Sequence, residues 1–286
     1  MIFGGEKGQV IEKIRQASQE GDFHAKAELG DPCLNDKDRE ELLRRFVEKK
    51  GKLSFCLKRF GARRITDVLT WYTNRDTEIL GLENLKGVPH GAIITSNHFS
   101  PIDNGVIRFG LKAAGWARIR IVAQEENFAM PGLVGFLMNY SDTLPVSGDR
   151  QYMAREFQRL LKGELDRGRP VLIYPEQEMW FHYRKPRPFK RGAYHYAAKF
   201  GVPIVSCFVE IQEKERMDTE EFRQVRYVLH ILPPIYPEPG KGLRENSVAM
   251  CQTDYQQKKE AYQKAYDRPL DYVFTSHDIA GWVGEI

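Results

Sequence analysis

The chain has 286 residues, 42% of them hydrophobic and 29% charged, so it can bury a substantial core. Its formal net charge is +4, and no DNA- or RNA-binding motif accompanies its basic residues, which argues against a nucleic-acid partner. Four cysteines lie far apart without the spacing of a metal site, so we expect reduced thiols in a cytosolic protein. We expect neither a secretory signal nor a transmembrane helix. Residues 1–7 lack an apolar core, and the longest uncharged apolar stretch, 128–140, is shorter than the ~20 residues of a span.

Residues 1–75 are predicted to form an N-terminal helical segment. Within it, residues 36–50 carry apolar side chains at helical spacing and should form one helix. Cations and apolar residues alternate further along this segment: Arg44, Arg45, Lys49, Lys50, Lys52, Lys58, Arg59, Arg63 and Arg64, with Phe46, Leu53, Phe55, Leu57 and Phe60. This mixture is typical of an amphipathic surface attracted to anionic lipid headgroups, and equally of a solvated helical face over a small core.

From residue 79 onward, short apolar runs alternate with amphipathic helical patterns. The predicted strands are 92–95, 119–123, 171–174, 204–209 and 225–232. The predicted helices between them are 103–114, 131–139, 150–165 and 192–200. This alternation predicts an α/β domain over residues 76–245, with a mixed, largely parallel central sheet flanked by helices. Residues 246–286 should form a C-terminal surface helix and tail that pack on this domain.

The first predicted strand is followed by a histidine and an aspartate five residues apart, His98 and Asp103. Ser100 can cap a new helix with Pro101 at its first position, which places Asp103 in the first turn. His98 on the preceding loop can then meet that carboxylate, which would fix the imidazole tautomer and raise its basicity for proton abstraction. The same residues also fit an ordinary capping arrangement, in which His98 has no chemical role.

Three further features follow in chain order. Arg150 stands at the start of a predicted helix, where a guanidinium suits a phosphate group. Glu176 follows another predicted strand, as His98 does. Residues 184–191 form a dense basic loop that includes Lys190 and Arg191. Each has a plainer interpretation: a surface arginine paired with its neighbouring aspartate, a solvated loop carboxylate, and a solvated run of charges.

In this order, the residues resemble the sequence blocks of the glycerolipid acyltransferase superfamily, which includes enzymes that acylate lysophosphatidic acid. The four matching blocks lie at residues 98–103, 144–150, 174–176 and 202–205. His98 and Asp103 match the His-x4-Asp block, and Arg150 ends a loose version of the block that supplies an acceptor-binding arginine. The resemblance spans roughly residues 77–235 and implies the glycerolipid acyltransferase fold.

The resemblance implies that a fatty acyl group moves from an acyl thioester, on coenzyme A or acyl carrier protein, to the hydroxyl of a lyso-lipid. The expected acceptor is 1-acyl-glycerol-3-phosphate, in phospholipid biosynthesis. His98 would be the general base and Asp103 would orient it. Residues expected to bind substrate are Asn97, Ser100, Arg150, Glu176, Lys190 and Arg191. No metal or other cofactor is expected, and direct transfer is favoured because the chain has no Gly-x-Ser-x-Gly elbow.

The third block departs from the family pattern Glu-Gly-Thr-Arg, because the chain continues Glu176-Gln177-Glu178-Met179. Alternatives therefore include another lyso-lipid or glycolipid acceptor, or a non-catalytic membrane-surface protein of the same fold. The expected location is cytoplasmic, peripheral on the inner face of the cell membrane. Six apolar residues could line an acyl-chain site or could equally be core: Phe128, Leu133, Val134, Phe136, Leu137 and Met138.

Overall fold

The computed structural model describes residues 7–30, 32–49, 52–116 and 118–284, so Lys50 and the first six residues lie outside the described residues. The helices are α1 (Lys7–Glu20), α2 (Asp36–Lys49), α3 (Leu53–Asn74), α4 (Asn104–Ala113), α5 (Gly132–Tyr140), α6 (Arg150–Tyr152), α7 (Gln158–Leu165), α8 (Gly192–Phe200) and α9 (Leu243–Tyr266). A π-helical turn, Met153–Phe157, joins α6 to α7. The strands are β1 (Glu78–Leu80), β2 (Ile93–Thr95), β3 (Arg120–Gln124), β4 (Thr143–Val146), β5 (Val171–Leu172), β6 (Ile204–Met217) and β7 (Arg223–Ile231).

Within the described ranges, these strands form one seven-stranded sheet in the order β1-β7-β6-β2-β5-β3-β4. The strands from β6 to β4 pair in parallel, β7 runs antiparallel to β6, and β1 is parallel to β7. The predicted mixed, largely parallel sheet flanked by helices is confirmed. Because parallel strands end at the same edge of a sheet, the loops after β2, β3, β4 and β5 are brought to one edge.

Both faces of the central strands are covered, which explains why these strands appear in the sequence as continuous apolar runs. Ile93 and Ile94 of β2 are fully buried and point to opposite faces of the sheet. Ile94 belongs to a core cluster with Ile107 of α4, whereas Ile93 belongs to one with Leu161 of α7 and Tyr194 of α8.

All five predicted strands form, and β1 and β4 are two further strands that the sequence analysis does not predict. The strand that begins at Ile204 extends to Met217, beyond its predicted end at 209. Its second half alternates between half-buried and exposed residues and pairs with β7 as an antiparallel ribbon. This half therefore lacks the continuous apolar pattern on which the prediction depended.

The N-terminal segment makes two separate sets of contacts with the α/β body. Ile11 and Ile14 of α1 are buried in a cluster with Trp180 and Phe222. Further along, α3 packs against α4 and α5, and Arg63 donates two hydrogen bonds of 2.7 Å to the carboxylate of Asp142. No helix among the described residues combines the length and the apolar content that crossing a bilayer requires.

The C-terminal helix does more than the expected packing on the domain surface. Asp254 and Lys258 of α9 are fully buried and form an ion pair. Asp254 also accepts hydrogen bonds from Thr95 of β2, at 2.7 Å, and from Tyr194 of α8, at 2.5 Å. Lys258 donates to Thr95 and Ser206. These bonds satisfy the buried charges and attach α9 to the sheet.

Candidate active site

The loop after β2 places His98 beside Asp103, but through a different helix start from the one predicted. Residues 101–103 form a turn and α4 begins at Asn104, so the expected start at Pro101 is wrong. The Asp103 carboxylate does not cap the following helix. Its Oδ2 instead accepts hydrogen bonds from the preceding backbone N–H groups of Phe99, at 2.9 Å, and Ser100, at 3.2 Å. The turn therefore closes back on the loop that carries His98.

The same Asp103 oxygen lies 2.7 Å from His98 Nδ1. With Asp103 ionised, Nδ1 carries the proton and donates it, which leaves the lone pair on Nε2. The His98 side chain is 21% exposed and that of Asp103 only 2%. No hydrogen bond within the described part of the chain engages Nε2. The pair thus presents a basic nitrogen towards solvent, with its tautomer set by a buried carboxylate.

Tyr174, two residues beyond β5, contacts both members of this pair. Its ring stacks on the His98 imidazole with the centroids 3.9 Å apart and the planes inclined by 11°. Its hydroxyl donates to Asp103 Oδ1 at 2.5 Å. Burial, followed by the nearby Asp103 charge, raises the pKa of Tyr174 well above 10. Sequence reasoning assigned no role to Tyr174, although its place at the end of the predicted strand 171–174 was the available signal.

Glu176 is predicted to contact substrate, and this role stays a prediction; in the structure the side chain is held by protein groups. The side chain is 2% exposed and its two oxygens are occupied by protein donors. Oε2 accepts from the His98 backbone N–H at 3.2 Å and from the Arg187 guanidinium at 2.9 Å and 3.2 Å. Oε1 accepts from the Arg187 backbone N–H at 3.0 Å. Glu176 therefore supports the His98 loop from inside the protein.

Arg187 lies in the predicted basic loop but is completely buried, so the expectation of a solvated charge run fails at this residue. Besides binding Glu176, its guanidinium donates to the carbonyl of Phe23 at 2.9 Å and lies 4.6 Å from the Trp180 ring centroid. The backbone N–H of Trp180 in turn donates to the His98 carbonyl at 3.2 Å. Both backbone polar groups of His98 are thus held by the loop that Arg187 organises. Nothing in the sequence separated Arg187 from Lys190 and Arg191, which are exposed.

Asn97 and Ser100 are also predicted to bind substrate, and both are buried. The Asn97 amide donates to the Val209 carbonyl at 3.0 Å and accepts from the Val209 N–H at 2.8 Å. These bonds tie the His98 loop to β6, and the predicted substrate-binding role of Asn97 and Ser100 stays a prediction. The Ser100 hydroxyl accepts from the backbone N–H of Ile102 at 3.4 Å, within its own turn.

Three predicted cations remain on the surface. Lys190 and Arg191 are exposed, and the Lys190 backbone N–H donates to the Pro175 carbonyl at 2.8 Å, which places this loop beside the Glu176 segment. Arg150 is exposed at the start of α6. The Asp149 carboxylate caps that helix by accepting from the backbone N–H groups of Gln151 and Tyr152, at 2.7 Å and 3.2 Å. The predicted role of these cations in substrate binding stays a prediction.

The apolar residues considered for an acyl chain do not share one environment. Phe128 is buried and packs edge-on against Phe46 of α2, with centroids 5.4 Å apart, as a core residue does. Leu133 of α5 is 53% exposed. The others on α5, namely Val134, Phe136, Leu137 and Met138, are half-buried. The helix therefore keeps apolar surface in contact with solvent.

Of three comparisons with known proteins, the one with family models agrees with the resemblance. A search of curated proteins returned no significant match. Among solved structures, the 1-acyl-sn-glycerophosphate (LPA) acyltransferase PlsC from Thermotoga maritima is similar, at 18% identity and a TM-score of 0.47, with 81% of this chain and 90% of that chain covered. The family model described as Acyltransferase matches residues 76–210, a segment that contains His98, Asp103, Tyr174 and the Glu176–Arg187 pair. The chain is therefore similar to the acyltransferase family over residues 76–210.

Proposed function

We propose that the protein transfers a fatty acyl group from an acyl thioester, on coenzyme A or acyl carrier protein, to the hydroxyl of a lysophospholipid. One observation supports the chemistry above all: His98 Nδ1 lies 2.7 Å from the buried Asp103 carboxylate while the imidazole edge remains partly exposed. This is the arrangement of a general base whose tautomer is held by a carboxylate. The first acceptor to test is 1-acyl-glycerol-3-phosphate, the substrate class named for the PlsC structure.

In this mechanism, His98 Nε2 takes the proton of the acceptor hydroxyl as its oxygen bonds to the thioester carbonyl carbon. Asp103 stabilises the imidazolium that forms. When the carbon–sulfur bond breaks, the thiolate leaves with the bonding electron pair and receives the proton from His98, so the enzyme is restored. A positioned base of this kind contributes typically ~10²–10⁴ in rate.

The altered third block favours a second candidate acceptor. The family pattern has glycine and threonine after the glutamate, then an arginine, whereas this chain has Gln177, Glu178 and Met179. Glu178 accepts a hydrogen bond from Gln124 at the end of β3, at 2.8 Å, so an extra carboxylate lies at this edge of the sheet. Negative charge here disfavours a phosphate monoester, which supports an acceptor with a less anionic headgroup. The exposed Lys190 and Arg191 lie on the loop beside this segment.

A lipid surface is the partner that the exposed face of α3 suggests. Apolar side chains that are more than half exposed recur at helical spacing on this helix, among them Leu57 at 67%, Phe60 at 64%, Val68 at 64% and Trp71 at 59%. The cations Lys58 and Arg64 are exposed on the same helix. Phe55, by contrast, is buried against Tyr140, so α3 has both the small core and the apolar outer face that the sequence left as alternatives. An apolar stripe with cations suits the interface of an anionic bilayer.

The reaction is tested with purified protein, acyl-CoA or acyl carrier protein thioesters, and a panel of lyso-lipids, with products identified by mass. We expect acylated product, and we expect His98→Gln to lower the turnover by at least ~10²-fold while the thermal unfolding temperature stays close to that of the parent protein. The His195→Gln variant, changed at a histidine on α8, is the matched control and should retain activity. Undiminished turnover by His98→Gln would remove this imidazole from the mechanism. Vesicle binding without thioester consumption by the parent protein would favour the non-catalytic alternative.

A further inference from the structure

The Tyr174 hydroxyl donates a hydrogen bond to Oδ1 of Asp103. The proposed mechanism gives this hydroxyl no role. Three donors converge on Oδ2 of this carboxylate: His98 Nδ1 and the N–H groups of Phe99 and Ser100. Among the hydrogen bonds of the described residues, Oδ1 accepts one, from the Tyr174 hydroxyl at 2.5 Å. Tyr174 also stacks on the His98 ring. One side chain thus touches the base and its carboxylate partner together.

We propose that Tyr174 is a positioning residue that sets how strongly Asp103 attracts the proton carried by His98; this inference rests on the proposed function. A short hydrogen bond from a phenol draws negative charge towards Oδ1. Less charge then remains on Oδ2 to stabilise the imidazolium. The Tyr174 hydrogen bond therefore weakens the attraction between Asp103 and the imidazolium, compared with an unshared carboxylate. The stacked ring meanwhile restricts imidazole rotation, so that Nε2 keeps its direction.

The neighbouring groups allow this effect to be isolated. Those that face Tyr174, Asp103 or His98 from adjoining elements are Arg108 of α4, Cys207 of β6, Tyr227 of β7 and Glu176. Burial holds the pKa of Arg108 at about 10 and raises that of Cys207 to about 12, so the former stays charged and the latter neutral near pH 7. Burial also raises the pKa of Tyr227 and of Tyr174 above the ordinary value, so both remain protonated donors.

The test is the Tyr174→Phe variant, which keeps the stacked ring and removes only the hydroxyl. The protein is labelled with ¹³C and ¹⁵N in histidine, and the titration midpoint of the His98 ring is followed by NMR without substrate, its signal assigned from the His98→Gln spectrum. We expect the midpoint to rise by about 0.5 to 1 pH unit, because the unshared carboxylate stabilises the protonated ring. This readout does not depend on turnover, so failure of the inference and failure of the proposed function can be told apart.

Tyr194→Phe is the matched control, since Tyr194 donates a hydrogen bond of the same 2.5 Å length to a buried carboxylate, Asp254, outside the candidate site. It should leave the His98 midpoint unchanged. If transfer activity is found, the acid limb of its pH profile should move upward by the same amount in Tyr174→Phe, with kcat affected more than KM. An unchanged or lowered midpoint in Tyr174→Phe, or an equal rise in Tyr194→Phe, overturns the proposal.

A second variant covers the case in which Tyr174→Phe does not fold. Site-specific insertion of trifluorotyrosine at position 174 keeps the ring and the hydroxyl while making the hydroxyl a stronger donor. More charge is then drawn to Asp103 Oδ1, so the His98 midpoint should fall below that of the parent protein. A midpoint that stays at the parent value with this residue in place also overturns the proposal.

Discussion

Replacing Arg187 by methionine tests whether the buried Glu176–Arg187 pair supports the His98 loop. The guanidinium is fully buried and the Glu176 carboxylate is 2% exposed. Removing one partner of such a pair leaves a buried charge without compensation, which costs about 3–5 kcal/mol. The variant also loses the bond to the Phe23 carbonyl and the contact with Trp180. We therefore expect the free energy of unfolding to fall by an amount in this range. That is a large part of a typical folding stability of roughly 5–15 kcal/mol.

The assay is urea unfolding followed by circular dichroism, run as a double-mutant cycle with Glu176→Gln. The double variant holds no buried charge at this position. Its loss of unfolding free energy should therefore be smaller than the sum of the losses in the two single variants, by about 2 kcal/mol or more. Arg159→Met is the control, because its ion pair with Glu156 is 62% and 43% exposed and should contribute under about 1 kcal/mol. Additive single losses, or an Arg187→Met loss as small as that of the control, would refute the reasoning.

Two further predictions concern membrane contact and pH. Leu57→Glu with Phe60→Glu should weaken sedimentation with anionic vesicles by at least about tenfold, since two exposed apolar side chains can no longer enter the lipid. Val273→Glu, at another exposed apolar position, should leave vesicle binding intact. Equal loss of binding in the α3 double variant and in Val273→Glu, or no loss in the α3 double variant, would contradict a role for α3. Burial lowers the pKa of His182 from 6.5 to about 4, so the unfolded chain binds the proton more readily than the folded chain. The free energy of unfolding should therefore fall by up to about 3 kcal/mol as the pH drops from 6.5 to about 4. His182→Gln should flatten this slope in urea unfolding measured from pH 7 to pH 4, and an unchanged slope would exclude His182 as its source.

Local pattern predicted much of the fold. The apolar runs around β2 and β6 were recognisable because strands buried on both faces have no polar alternation. The helix predicted at 192–200 matches α8, since its apolar residues recur at helical spacing and a glycine follows it. The predicted helix 103–114 begins one residue before α4, but the expected cap at Ser100 with Pro101 in the first helical position does not form. Ser100 and Pro101 favour a helix there, but the bonds from Phe99 and Ser100 to the Asp103 carboxylate hold those residues in a turn.

The sequence by itself determined the order of elements, the largely parallel sheet and the His98–Asp103 spacing, because these depend on periodicity and on residues close together in the chain. Only the tertiary structure decided which charges face solvent. Glu176 and Arg187 bind one another across eleven positions and lie under the His98 loop, whereas Lys190 and Arg191 of the same basic run stay exposed. It also brought Tyr174 against Asp103 across 71 positions. Burial and long-range pairing arise from how the strands are ordered in the sheet, and no local pattern of residue types encodes them.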